Sequence, residues 1–190
     1  KLLQLNAGMK NKKIYEEKPC FSIPVDELVE RLKSYDVVSF DVFDTLIFRY
    51  LQKPSDVFIL MEAKYHFYNF SEIRIRAEKK ARESANNAEI TIEDIYNTFQ
   101  KESSIIPEEW IKKEIETEKE VCFANPYMFK VFQELKKAGK TIIAVSDMYL
   151  SAETIQEILE NAGYKGFDNI YISCEKKAGK WNGQIFDIVN

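Results

Sequence analysis

Two short apolar runs constrain this chain more than any other feature. Val37-Val38-Ser39-Phe40 ends at Asp41, and Thr141-Ile142-Ile143-Ala144-Val145 ends at Ser146-Asp147, with 105 positions between Asp41 and Ser146. Each run is bounded by polar residues and rich in β-branched side chains, the pattern of a strand buried on both faces of a parallel sheet. Residues 24–34 read as a short amphipathic helix opening near Asp26, with Leu28, Val29 and Leu32 on one face. Asn125-Pro126 opens another helix, an N-cap followed by Pro at the first helical position, and Gly139 closes it. A helix over 151–161, stopped by Gly163, leads to a short strand at 169–172. Strand, helix, strand in this order predicts an α/β fold: a parallel Rossmann-like sheet with right-handed crossovers.

Between the two runs the period changes to that of helices. Four stretches, 55–67, 70–85, 91–100 and 107–121, carry it, with Ser55, Ser71 and Thr91 as candidate N-caps and Pro107 suited to a first turn. The pattern predicts a core of residues 1–52 and 123–190 interrupted by a helical cap subdomain over 53–122.

Composition narrows the function classes. The chain is 45% hydrophobic and 31% charged, which excludes a disordered or low-complexity protein. Twenty-seven Lys and Arg against 31 Asp and Glu give a net charge of −4 and a pI near 5.3, so no basic surface is predicted to grip nucleic acid. No window approaches the roughly 18 uninterrupted apolar residues of a membrane span. Cys20, Cys122 and Cys174 are far apart and lack a C-x-x-C, and His66 is the single histidine. Reduced thiols in a cytoplasmic protein are the expectation, and His66, between Tyr65 and Phe67, reads as a packing or surface residue.

In parallel α/β sheets, ligands bind at the carboxyl ends of the strands, where Asp41, Ser146 and Ser173 fall. A carboxylate there, followed by the turn Val42-Phe43-Asp44-Thr45, can meet a ligand among free backbone amides. The Ser146 hydroxyl can donate to a phosphate oxygen, and a lysine from the stretch 176–180 can neutralise charge. Singly, each has a plainer explanation as a turn former, cap or solvated side chain. Together they suit nucleophilic attack by a carboxylate on a phosphoryl or activated carbon centre.

These residues resemble a known family. Phe40-Asp41-Val42-Phe43-Asp44-Thr45-Leu46-Ile47 resembles the first motif of the haloacid dehalogenase superfamily, Ile142-Ile143-Ala144-Val145-Ser146-Asp147 the second, and Lys180 with Gly183-Gln184-Ile185-Phe186 the third. The string FDVFDTL is most similar to a bacterial group often found with surface-polysaccharide genes. The resemblance, over about residues 35–190, implies a C1-type cap and a Mg²⁺-dependent phosphatase or phosphotransferase acting on a small phosphorylated metabolite. Asp41 would be the nucleophile that forms an aspartyl-phosphate. Ser146 and the amide of Asp147 would hold the phosphoryl oxygens, and Lys180 would steady Asp41. The resemblance further implies Mg²⁺ held by Asp41, the backbone carbonyl of Phe43 and acidic residues of a fourth motif.

Two departures follow. The family's general acid stands two residues after the nucleophile, where this chain has Phe43; Asp44 is displaced by one position and is the candidate substitute. The chain runs from Lys1 to Asn190 without a fourth motif, which predicts a piece of a longer parent protein with further domains and an incomplete metal site. Two other readings stay open: a metal-independent dehalogenase, which tolerates an aromatic at Phe43 but usually has Gly where Asp44 stands, and a catalytically weakened binding or regulatory module of a polysaccharide-biosynthesis protein. On the helical insert, Arg74, Glu78 and Arg82 are spaced four apart. They read as ordinary surface pairs, or else Arg74 faces the core and gates an anionic substrate.

Overall fold

A computed structural model describes residues 2–5, 23–86 and 88–189. Cys20 therefore lies outside the described residues. The fold is mixed α/β, a parallel sheet flanked by helices. Four strands, β1 (Leu2–Leu5), β2 (Val37–Phe40), β5 (Thr141–Ser146) and β6 (Asn169–Ile172), lie in the order β1-β2-β5-β6, every neighbouring pair parallel. In this register Phe40 pairs with Ala144 and Ser146 with Ile172, so β2, β5 and β6 run out at the same end of the sheet.

Period-two alternation divides the sheet's side chains between two cores. Val38, Phe40, Ile142 and Ala144 join the main core with α1 (Val25–Leu32), α6 (Pro126–Lys137) and α7 (Ala152–Asn161). Ile143 and Val145 face the other way and pack with Ala178 and with Ile185 of α9 (Gln184–Val189). The helix boundaries have local causes. The side chain of Asn125 accepts from the backbone N–H groups of Tyr127 and Met128 and caps α6, and Gly139 takes φ +68° just beyond that helix's end. Ser151 caps α7 by accepting from Thr154.

An antiparallel ribbon of β3 (Ile47–Arg49) and β4 (Cys122–Ala124) leads out of the sheet and back. Between its strands lie α2 (Asp56–Tyr65), α3 (Phe70–Ser84), α4 (Ile92–Gln100) and α5 (Pro107–Val121), which pack on one another around Phe70, Phe99 and Trp110. Of the three expected caps here, only Thr91 acts as one, in a reciprocal capping box with Asp94. Ser55 makes no capping bond. Ser71 sits inside α3, and its N–H and hydroxyl both donate to Glu62 of α2, which fixes the α2–α3 turn instead. His66 ends α2 in the left-handed conformation, φ 54°, with its side chain exposed. Among the described residues no helix is long and apolar enough to cross a membrane.

Candidate functional site

β2 stops at Asp41 because the backbone turns back on itself there. The N–H groups of Leu46 and Ile47 both donate to the Val42 carbonyl, at 2.8 and 3.1 Å, and the N–H of Asp44 donates to Ile47 at 2.9 Å. Asp44 takes φ 58° within this turn, a conformation that Asp tolerates better than bulkier residues. The turn aims the Asp41 carboxylate at its own later members: Thr45 Oγ1 donates to Asp41 Oδ2 at 3.0 Å. Asn125 holds the other side of the turn, its Nδ2 donating to the Thr45 carbonyl at 2.8 Å. Asp41 is 7% exposed.

The second carboxylate oxygen, Oδ1, accepts from the ammonium of Lys180. The backbone N–H of the same lysine donates to both carboxylate oxygens of Asp147, at 2.9 and 3.1 Å. One residue of the loop after α8 (Ser173–Lys176) therefore ties together the ends of β2 and β5. Burial raises the pKa of Asp147; the Lys180 amide and ammonium pull the other way, and the charge of Glu89 adds to the rise. Ser146, buried at the end of β5, stands on the strand next to the one that carries Asp41.

Asp41, Phe43, Asp44, Ser146 and Asp147 all line one cleft of about 930 Å³, and Lys180 reaches it through Asp41. The predicted site residues are thus brought together. The opposite wall comes from α2 and α3, with Phe58, Ile75, Lys79 and Arg82. The two readings of Arg74 each hold in part: Glu78 pairs with Arg74 at 3.2 Å and with the part-exposed Arg82 at 2.8 Å, as the spacing suggests, but Arg74 itself faces the core and not the surface, and it gates nothing in the cleft. Its side chain is wholly buried, with Nε and Nη2 each donating to Glu114 at 2.8 Å, and it does not line the cleft. The hydroxyls of Tyr96 and Tyr149 donate to the same Glu114, at 2.7 and 3.0 Å, so the guanidinium belongs to a buried cluster that joins the insert to the loop after β5.

Several cleft residues carried no signal in the sequence. Glu89, before α4, accepts from the Ser173 hydroxyl at 2.7 Å, and Ser173 in turn accepts from the Met148 N–H at 3.1 Å. Arg49 donates to both carboxylate oxygens of Glu118, at 2.8 and 3.2 Å, and its guanidinium carbon lies 4.1 Å from the centre of the Phe43 ring. Burial opposes the Arg49 charge, but Glu118 more than offsets it and lifts the pKa above the ordinary arginine value. Only a residue opposite on the folded chain, 69 positions on in the case of Arg49 and Glu118, reveals these pairs.

No cluster of three or more His, Cys, Asp or Glu side chains that could hold a metal occurs among the described residues. The turn after β2 carries oxygen donors that include the Asp41 carboxylate and the Phe43 carbonyl. Such a set suits Mg²⁺, which commonly takes one or two carboxylates and fills the rest of its sphere with water and substrate phosphate. No protein-family model matches the chain, and comparison with curated proteins finds no significant match.

Proposed function

We propose that this protein is a phosphatase or phosphotransferase of the haloacid dehalogenase superfamily, working through an aspartyl-phosphate on Asp41 and acting on a small phosphorylated metabolite in the cytoplasm. The observation that carries the reading is the fixing of Asp41. A buried carboxylate at a strand end, held on one oxygen by Lys180 and on the other by Thr45, faces a cleft beside the Ser146 hydroxyl. A carboxylate so restrained meets a phosphorus atom in a set orientation, which lowers the entropic cost of attack.

In the first step a carboxylate oxygen of Asp41 attacks phosphorus, and the bond from phosphorus to the leaving oxygen breaks. Ser146 and the Asp147 amide donate to the phosphoryl oxygens, while Lys180 offsets their charge. Water then attacks the aspartyl-phosphate, releasing phosphate and restoring Asp41. Mg²⁺, held by Asp41 and the Phe43 carbonyl, would neutralise phosphate charge. Helices α2–α5, of which α2 and α3 supply one wall of the cleft, are read as the cap that excludes water and selects substrate. The unpaired, buried thiols of Cys122 and Cys174 suit a reducing compartment.

Phosphoenzyme trapping tests the reading. Incubation with acetyl phosphate and Mg²⁺, acid quench and peptide mass spectrometry should place the phosphoryl group on Asp41, and Asp41→Asn should carry none. Label on another residue, or label that survives Asp41→Asn, overturns it.

A further inference from the structure

Arg49 closes the first ribbon strand opposite Cys122, one helical turn beyond Glu118. Its side chain is 8% exposed and that of Glu118 1%, so the pair is buried and fixed. Nε and Nη2 serve Glu118, and Nη1 lies outside that pairing. The guanidinium stacks on Phe43, two residues from Asp41, and all three residues line the same cleft. A guanidinium whose charge Glu118 balances, with Nη1 left over as a donor, therefore stands beside the turn after Asp41, where the nearest cleft-lining side chain is a phenyl ring. A guanidinium stays charged at any pH of interest, so it offers hydrogen bonds and positive charge but no proton.

We propose that Arg49 makes this cleft selective for phosphoanhydrides, substrates whose phosphoryl group is joined to a carboxylate or to another phosphate. The inference rests on the phosphoryl-transfer reading above. When an Asp41 oxygen bonds to phosphorus and the anhydride P–O bond breaks, the electron pair stays on the leaving oxygen. An alkoxide would then need a proton from an acid, whereas a carboxylate or phosphate departs as a stable anion and needs only a countercharge. Arg49 offers its Nη1 N–H groups, outside the Glu118 pairing, to the departing anion as charge-assisted donors, and Glu118 holds the guanidinium in place before the reaction begins. Water completes the cycle: it attacks phosphorus, phosphate leaves, a proton passes to solvent and the Asp41 carboxylate returns.

The test compares kcat/KM for acetyl phosphate, inorganic pyrophosphate, p-nitrophenyl phosphate and n-propyl phosphate in the wild type, Arg49→Lys and the double variant Arg49→Gln/Glu118→Gln. The double variant removes both charges, so no lone buried charge is left to unfold the chain, and circular dichroism checks its fold. The wild type should favour at least one anhydride over n-propyl phosphate. In the double variant the rate for that anhydride relative to n-propyl phosphate should fall about 100-fold, with a smaller fall for p-nitrophenyl phosphate, whose phenolate also leaves as a stable anion but spreads its charge over the ring, and with partial recovery in Arg49→Lys. Loss confined to acetyl phosphate assigns an acyl phosphate, and loss confined to pyrophosphate a diphosphate. An unchanged ratio in the folded variant, or a wild-type preference for n-propyl phosphate, overturns the role of Arg49 while leaving the aspartyl-phosphate intact. Absence of phosphoenzyme with every substrate overturns both.

Discussion

The ammonium of Lys180 hydrogen-bonds the carboxylate of Asp41, 139 positions earlier in the chain. Three segments meet in this contact, because the same lysine also fastens Asp147 through its backbone N–H. The side-chain bond serves charge and the backbone bond serves position, so the two are separable by substitution.

Replacing Lys180 by Met removes the side-chain bond and keeps the backbone one. Phosphoenzyme formation should slow by about 10²–10³-fold, the usual cost of one preorganised charge-stabilising donor, while far-UV circular dichroism stays unchanged. Arg at the same position should restore little, because a planar fork does not fit a point-charge site. Single-turnover rates decide it; a Lys180→Met rate near that of the wild type removes Lys180 from the mechanism.

Phe43→Asp places a carboxyl where a leaving-group acid could act. Turnover of n-propyl phosphate should rise by about two to four powers of ten, the range of general acid catalysis, and turnover of acetyl phosphate far less. Steady-state kinetics on the two substrates checks this, and equal gains would show that protonation of the leaving group is not what Phe43 withholds.

Glu114 accepts from Arg74, Tyr96 and Tyr149 at once. Glu114→Gln leaves the buried guanidinium with only the partly exposed Glu78 as countercharge and should lower the unfolding free energy by about 3 kcal/mol. The double variant Arg74→Met/Glu114→Met should recover most of the loss. Urea titration measures both, and a loss below about 1 kcal/mol for the single change would sink the structural role given to this cluster.

Burial, reinforced by the charge of Glu118, pushes the Cys122 thiol up to about 12, and burial with Glu175 pushes Cys174 up to about 11. Because the folded values lie above the ordinary thiol value of about 8.5, the protonated thiols favour the fold. That contribution is whole below about pH 8.5 and is lost as pH rises through the folded values. Iodoacetamide at pH 8 should leave both cysteines unmodified in the native state, since the thiolate is the reactive form. The urea midpoint of the wild type should fall more steeply from pH 8.5 to 10 than that of Cys122→Ala. Rapid native-state alkylation of Cys122 would contradict the burial that sets its pKa.

Strands β2, β5 and β6 and helices α1 to α7 were legible in the sequence because their apolar periods are long enough to read and their ends carry Asn, Ser, Thr, Pro or Gly. The ribbon strands β3 and β4 are three residues each, too short for alternation to show, and they are recognised only by pairing, as in Phe48 against Phe123. Asp41, Ser146 and Asp147 were legible together because adjacent parallel strands end at one edge. Arg74 was not: spacing four apart from Glu78 looks the same on a surface as in a core, and what buries it is Glu114, 40 positions later. Ser173 was legible as a strand end, but its pairing with Glu89, 84 positions earlier, was hidden for the same reason.

Tyr149 belongs to the loop that leaves β5 just after Ser146 and Asp147, yet its hydroxyl and ring are spent on Glu114 and Arg74 inside the helical insert, and its carbonyl accepts from Ile92 at the start of α4. The insert is therefore no interchangeable attachment. Grafting these helices onto another sheet, or another set of helices onto this one, would have to carry the Tyr149 loop with it. Attempts to alter substrate range by swapping the insert at its ribbon alone would leave the loop after Ser146 without its anchor.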